Sequence, residues 1–347
     1  KVFAAINQAN MQTKKDLIKD YKALKNKIGK APMMLDFLDY GYRDPFLYVK
    51  KERSYFNFAK SMEIALQTSL NTTEEKLLEL FGNEINNSKR IEECLILKSL
   101  LTVGSIAIDI LKQQVFDLYG YQPSDRTVSS AISNLNFEFV RERKNKQLIP
   151  AKDVYNLDLV QNVNGIISIS NSFQKHLSNT VFREFLWDST EYSIRTFDTL
   201  FNAIKWRNGF VLYRKYSRKD VFRILNTKEN PVAQNVGGYM VSPDFSNCPI
   251  FVNYHKEEDI SESTKYEDVF VNPREFDWMS KSNRKLESKD VQSILGKNGD
   301  IRLPLFIKKN NDEGTDFYYM GDMHPIHNHV KQTKMKNDKG KDVSVVK

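Results

Sequence analysis

The residues best suited to chemistry in this chain of 347 residues lie between Gly209 and Asp322, and the chemistry they suit is the grip of a flat, anionic ligand. Tyr239, Tyr254, Tyr266, Trp278 and Tyr319 offer aromatic faces within a stretch rich in short alternating runs. Aromatic rings hold extruded or unpaired bases by stacking, and a carboxylate can accept from a cytosine amino group. Asp268 and Asp277 are the candidate acceptors, with Ser263, Thr264, Ser280 and Ser282 as accessory donors. Arg214, Lys215, Arg218, Lys219, Lys265, Lys281 and Arg284 are interleaved with them and suit phosphates. The loops 261–268 and 278–284 carry the densest polar content.

Other chemistries are poorly served. The chain has no Gly-rich phosphate loop ending in Gly-Lys-Ser or Gly-Lys-Thr and no dinucleotide fingerprint. A metal-dependent nuclease built on Asp244 would need an acid-x-Lys element, yet Glu257, Glu258 and Asp259 follow Lys256 instead of preceding it. Three of the five histidines, His324, His327 and His329, fall in one loop near Asp322. Without a second ligand pair nearby they read as a solvated loop, and no metal site is expected. Cys94 and Cys248, far apart, read as reduced thiols of a cytoplasmic protein. No apolar run reaches the length of a membrane span, so no membrane partner is expected. A net charge of +8 favours nucleic acid as a partner.

The elements that must position these residues divide the chain in two. Residues 1–204 read as a helical connector domain. Leu17, Tyr21, Leu24 and Ile28 recur at helical spacing, and Thr72 with Glu75 forms a capping box. Ile108, Leu111, Val115 and Leu118 form a further apolar stripe. In the next helix Val128, Ala131, Ile132 and Leu135 face inward while Arg126, Thr127, Ser129, Ser130 and Ser133 face out. That is a helix-turn-helix-like pattern within a winged-helix-like part at about 90–146. The basic run Arg141 to Lys146 stands where a wing would contact phosphates, with Arg126 as a further phosphate contact. Residues 205–347 switch to short strands broken by Gly, Pro, Asn and Asp, the pattern of an antiparallel barrel or sandwich. The whole is an α+β multidomain chain. It opens on Lys1 and stops at Lys347 after a strand-like run, as a piece of a larger polypeptide would.

Several strings resemble the C-terminal region of SauUSI-type ATP-dependent type IV restriction enzymes, which act on DNA carrying modified cytosine. They include Tyr216-Ser217-Arg218-Lys219-Asp220-Val221, Gly237-Gly238-Tyr239 and Ile250-Phe251-Val252-Asn253-Tyr254. Ser263 to Asp268, Phe276-x-Trp278-x-Ser280, Leu305 to Lys309 and Phe317-Tyr318-x-Met320-Gly321 complete the set. Leu35 to Leu38 and Tyr42 to Pro45 extend it loosely into the helical part. The resemblance implies a helicase-associated recognition domain of SRA- or PUA-like barrel fold. Such a domain would flip 5-methylcytosine or 5-hydroxymethylcytosine out of double-stranded DNA into an aromatic pocket. The residues themselves, not the resemblance, offer Phe251 or Val269 as an apolar wall against the methyl group. The resemblance also implies nuclease and helicase domains in the same polypeptide, with ATP and Mg serving that motor and no cofactor in this segment. A homodimer is a further candidate assembly. The rival expectation is an interaction or dimerisation adaptor whose aromatics are core and whose DNA binding is non-specific.

Overall fold

The structure is a computed structural model and describes residues 2–254, 268–309, 314–337 and 339–347. Side chains are described from Lys14 onward, except at Ala233 and Gln234. The chain forms two compact units, Lys1–Phe201 and Asn202–Lys347. It is a mixed fold, helical in the first unit and built from small sheets in the second. Among the described residues no helix is long and apolar enough to cross a membrane.

The first unit begins with α1 (Val2–Ile28), α2 (Met34–Asp39), α3 (Phe46–Glu52), α4 (Tyr55–Met62) and α5 (Thr72–Leu80). Aromatic rings fill the space between them: Tyr48 meets Phe37 at 5.1 Å and Phe58 at 4.3 Å, and Phe56 meets Phe185 at 5.0 Å. Helix α5 is capped one residue earlier than its sequence suggests. The Asn71 side chain accepts from the Glu74 N–H, and Glu74 reaches back to the Asn71 N–H.

The next elements are α6 (Ile91–Val103), β1 (Ser105–Ala107), α7 (Ile108–Tyr119) and α8 (Asp125–Leu135), followed by the hairpin β2 (Arg141–Lys144) and β3 (Gln147–Pro150). Then come α9 (Ala151–Tyr155), β4 (Val160–Val163), β5 (Ile166–Ile169), α10 (Asn171–Leu177) and the long α11 (Thr180–Leu200). Strand β5 lies between β1 and β4, antiparallel to both. The tight β4–β5 turn uses Asn164 and Gly165, both at positive φ, the requirement of a type I′ hairpin. The basic run expected to form a wing instead makes β2–β3, a hairpin with its own Asn145–Lys146 turn that is not joined to the three-stranded sheet. The hairpin that does join β1 is β4–β5, whose tip carries Asn162, Val163 and Asn164 and no positive charge. On α7, Leu111 and Val115 are buried, but Leu118 is exposed, so the apolar stripe turns partly outward.

The second unit contains β6 (Trp206–Arg207), β7 (Phe210–Val211), β8 (Lys215–Tyr216), α12 (Arg218–Ile224), α13 (Ala233–Val236) and β9 (Ile250–Asn253). These are followed by β10 (Val269–Asn272), β11 (Glu275–Asp277), α14 (Lys289–Ile294), β12 (Leu303–Lys308), β13 (Phe317–Met323), β14 (Gln332–Lys336) and β15 (Asp342–Val346). The largest sheet has the order β8-β13-β12-β9; among the described residues it does not close into the antiparallel barrel that the sequence suggests. Nor is it purely antiparallel: β9 and β12 run parallel, so the chain must cross back over, and α14 sits in that crossover. At the far edge β8 pairs over only two residues. The remaining strands of this unit form two-stranded pairs, β6–β7, β10–β11 and β14–β15.

Alternation gives the four-stranded sheet two different faces. One is a closed aromatic core of Phe210, Tyr216, Phe251, Phe306, Phe317 and Tyr319, with Phe251 stacked on Phe306 at 5.4 Å and met by Phe222 of α12 at 6.0 Å. The other is aliphatic: Ile250, Val252, Leu305 and Ile307 form a cluster with Tyr239, Cys248, Ile294 and Leu303. Phe270, Phe276 and Trp278, from the β10–β11 hairpin and its exit, pack on this second face.

In the first unit Asp188 of α11 caps α2 from a buried position, accepting from the Met34 N–H at 2.7 Å and the Leu35 N–H at 3.2 Å. Burial pushes its carboxyl up to about 7 despite those two donors. The folded state therefore holds a proton that the unfolded chain, with a carboxyl pKa of about 4, releases. Stability from this group is full below about pH 4 and declines as pH rises toward about 7. Thermal melts of wild type and Asp188→Asn across this range should show wild type losing ground to the variant as pH rises. A difference independent of pH would contradict this.

Candidate nucleic-acid interface

The β10–β11 hairpin lies over the aliphatic face and makes a wall. Phe270 and Phe276 are cross-strand partners with ring centroids 4.8 Å apart, and Phe270 meets Tyr254 at 5.9 Å. Trp278, just beyond β11, meets Tyr239 edge-on at 5.1 Å and 74°. Such contacts fix ring orientation better than aliphatic packing does.

On the α14 side of this wall is a cavity of about 420 Å³. Its floor is apolar: Ile250, Leu303 and Leu305 from the sheet, Val291 and Ile294 from α14, and Met323 at the end of β13. Phe276 and Trp278 form one side. Ser280, Val346 and Lys347 form another, because the Ser280 N–H donates to the Val346 carbonyl at 2.8 Å and the Val346 N–H donates to Ser280 Oγ at 2.9 Å. The rim is charged, with Arg274, Lys331 and Lys347 beside Glu275 and Asp277, and with His324 and His329 on the loop between β13 and β14. Lys347 Nζ stands 3.0 Å from Asp277 Oδ2. A cavity of this size, with an apolar body and a few polar groups at its edge, fits a planar organic group carrying anionic substituents.

Behind Trp278 a polar network anchors the wall. The Tyr239 hydroxyl donates to Asp290 Oδ2 at 2.7 Å, and Arg284 Nε donates to the same oxygen at 2.6 Å. Partial burial pushes the Asp290 carboxyl up, but hydrogen bonds from Arg284 and Tyr239 prevail and hold it below the usual carboxylate range. Burial first, then Asp290, keeps the Tyr239 phenol protonated far above its ordinary value. Lys281 Nζ lies 4.7 Å from the centre of the Tyr239 ring, and burial followed by the nearby Arg284 lowers its pKa. Burial pushes the Cys248 thiol up to about 12, so it acts as a small apolar side chain.

The structure thus divides the residues singled out from sequence. Trp278, Ser280 and Asp277 line the cavity, and Tyr239 backs it. Phe251 and Tyr319 lie on the opposite, closed face of the sheet and cannot serve as walls, since their strand neighbours Ile250 and Met320 take the aliphatic side. The Tyr319 hydroxyl is committed to Asp322, 2.8 Å away. Asp268 accepts from the Met279 N–H at 3.1 Å, closing the base of the hairpin, and does not line the cavity. Val269, the alternative methyl-sensing wall, is exposed on β10. Tyr254 sits across the wall from the cavity. Ser263, Thr264, Lys265 and Tyr266 lie outside the described residues.

The phosphate candidates divide too. Arg218 lies over the rings of Phe251 and Phe317, 5.2 Å from each, and burial lowers its pKa. Arg214 lies over Tyr216, Lys281 over Tyr239, and Arg284 is paired with Asp290. Lys215 sits 4.5 Å over Tyr318, Lys219 is half-buried on α12, and Arg126 is exposed on α8 of the other unit. The cations that do rim the cavity, Arg274, Lys331 and Lys347, were not singled out from sequence. The histidine-rich loop was the one available signal for that rim. Among the described residues no group of three or more His, Cys, Asp or Glu could hold a metal ion.

Residues 17–199, just over half of the chain, match a domain of unknown function (DUF8090). The chain belongs to the DUF8090 family. Residues 210–347, which hold the cavity and its wall, match a second domain of unknown function (DUF3427). No curated protein matches the chain.

Because Tyr239 backs Trp278 and its hydroxyl meets a charged partner, Tyr239→Phe should cost about 1 to 2 kcal/mol in urea unfolding. An unchanged midpoint would mean that the DUF3427 segment does not depend on this network.

Proposed function

We propose that the C-terminal unit recognises 5-methylcytosine or 5-hydroxymethylcytosine in double-stranded DNA by base flipping, as the target-recognition part of an ATP-dependent type IV restriction endonuclease. The observation that carries this reading is the cavity beside Trp278: an aromatic wall, an apolar floor, a carboxylate at the edge and a cationic rim. The flipped base would lie along Trp278, with its methyl group against Ile250, Leu303 and Leu305. Asp277 would accept from the cytosine amino group, and Arg274, Lys331 and Lys347 would hold flanking phosphates. The open four-stranded sheet would then be an incomplete relative of an SRA- or PUA-like barrel. The resemblance of its sequence strings to SauUSI-type enzymes supports the same role.

In this reading the helical unit connects recognition to nuclease and helicase domains of the same polypeptide, whose motor would use ATP and Mg. Its order of α6, β1, α7, α8, β4 and β5, with β5 central, supports a winged-helix-like part that serves packing more than DNA contact. A second reading, the interaction adaptor, draws support from a groove of about 730 Å³ on this unit, lined by Val103, Ile110, Leu118 and Ile166. All four are exposed. It expects no salt-dependent DNA affinity.

Fluorescence anisotropy with matched duplexes, with and without one 5-methylcytosine, separates the readings across a salt series. Tighter binding to the methylated duplex is expected, and Trp278→Ala should abolish the preference, a loss of about tenfold on that duplex. Lys331→Ala should weaken both duplexes alike and reduce the salt slope by about one. Equal loss on both duplexes in Trp278→Ala would contradict the assignment.

A further inference from the structure

The same hairpin that walls the cavity leaves a second concavity on its other side. This groove, about 360 Å³, lies over the β9–β12–β13 end of the aliphatic face, and Tyr213, Tyr254, Phe270 and Tyr318 line it with Ile307, Lys309 and Met320. It shares no lining residue with the cavity beside Trp278. Lys215 Nζ lies 4.5 Å from the Tyr318 ring centre, and Lys205 Nζ lies 5.8 Å from that of Tyr213. Two of its rings therefore each have an ammonium group close by, and Lys309 lines the groove itself.

Tyr213 adds an independent observation. Its φ is 67°, in the left-handed region that a bulky side chain avoids. Tyr213 and Arg214 together stand opposite one residue, Tyr319: the Tyr213 N–H donates to the Tyr319 carbonyl at 2.8 Å, and the Tyr319 N–H donates to the Arg214 carbonyl at 3.1 Å. A bulge with its first residue in this region ordinarily carries glycine there. Here the position carries a tyrosine whose side chain gains little from burial, since the residue is 58% exposed. Strain of this kind, kept where packing does not reward it, points to a role for the displayed ring.

We propose that this groove binds unpaired nucleic-acid strand, with bases stacked on Tyr213 and Tyr318 and phosphates held by Lys205, Lys215 and Lys309. Stacking is indifferent to base identity, so the surface takes strand without sequence preference. The charge favours a polyanion over an apolar peptide. The inference does not rest on the base-reading cavity, and a probe without cytosine keeps the two apart.

The test is fluorescence anisotropy of the full chain with labelled oligo-dT over a salt series. Tyr213→Ala and Tyr318→Ala should each weaken binding by about tenfold. Tyr213→Gly, which relieves the backbone strain, should melt no lower than wild type and still lose the affinity. Tyr40→Ala, which removes another exposed tyrosine lying under a lysine, in the other unit, should bind as wild type does. Oligo-dT affinity that is absent in wild type, or unchanged in both groove variants, overturns the proposal. So does co-sedimentation with anionic vesicles that Tyr213→Ala abolishes while oligo-dT binding stays intact, which would make the groove a membrane-facing surface.

Discussion

The C-terminal unit depends on the unequal covering of one four-stranded sheet. Its aromatic face is closed by its own rings and by α12, so nothing can enter there. Its aliphatic face is only partly covered, because α14 protects one end and the β10–β11 hairpin crosses the middle. What remains is one concavity on each side of a ridge of Phe270, Phe276 and Trp278. The parallel pairing of β9 with β12 contributes to this, because it demands a crossover, and α14 lies in that crossover.

Charge in this unit follows the same division. Arg218 and Arg284, which look in sequence like surface cations, are used in building: one lies over core rings and the other secures Asp290. The network of Tyr239, Asp290 and Arg284 holds the ridge from behind, where water would otherwise compete for each hydrogen bond. The cations at the rim of the cavity, Arg274, Lys331 and Lys347, belong to loops and strand ends, and Lys347 is paired there with Asp277.

Helical periodicity made the first unit's helices legible, since Leu17, Tyr21 and Leu24 are buried along one stripe of α1. Basic composition draws attention to Arg141–Lys146, which forms a hairpin of its own, whereas the pairing of β4 and β5 is decided by register and by the Asn164–Gly165 turn. In the second unit Trp278, Ser280 and Asp277 were recoverable from residue type. Phe251 and Tyr319 were not separable from them, because an aromatic residue gives no sign of which sheet face it takes. That follows only from strand register, and a shift of one residue reverses it. Lys331 and Lys347 reach the rim through the pairing of β14 with β15, a tertiary fact without local signature.

The central claim is that the cavity beside Trp278 takes a base out of the duplex. The most direct measurement places 2-aminopurine, paired with thymine, next to a single 5-methylcytosine that is paired with guanine, and follows its fluorescence as the protein is added. Extrusion of the modified cytosine removes a stacking neighbour, so the emission should rise with wild type and stay flat with Trp278→Ala. Saturating binding to the methylated duplex with no rise in emission would contradict base flipping.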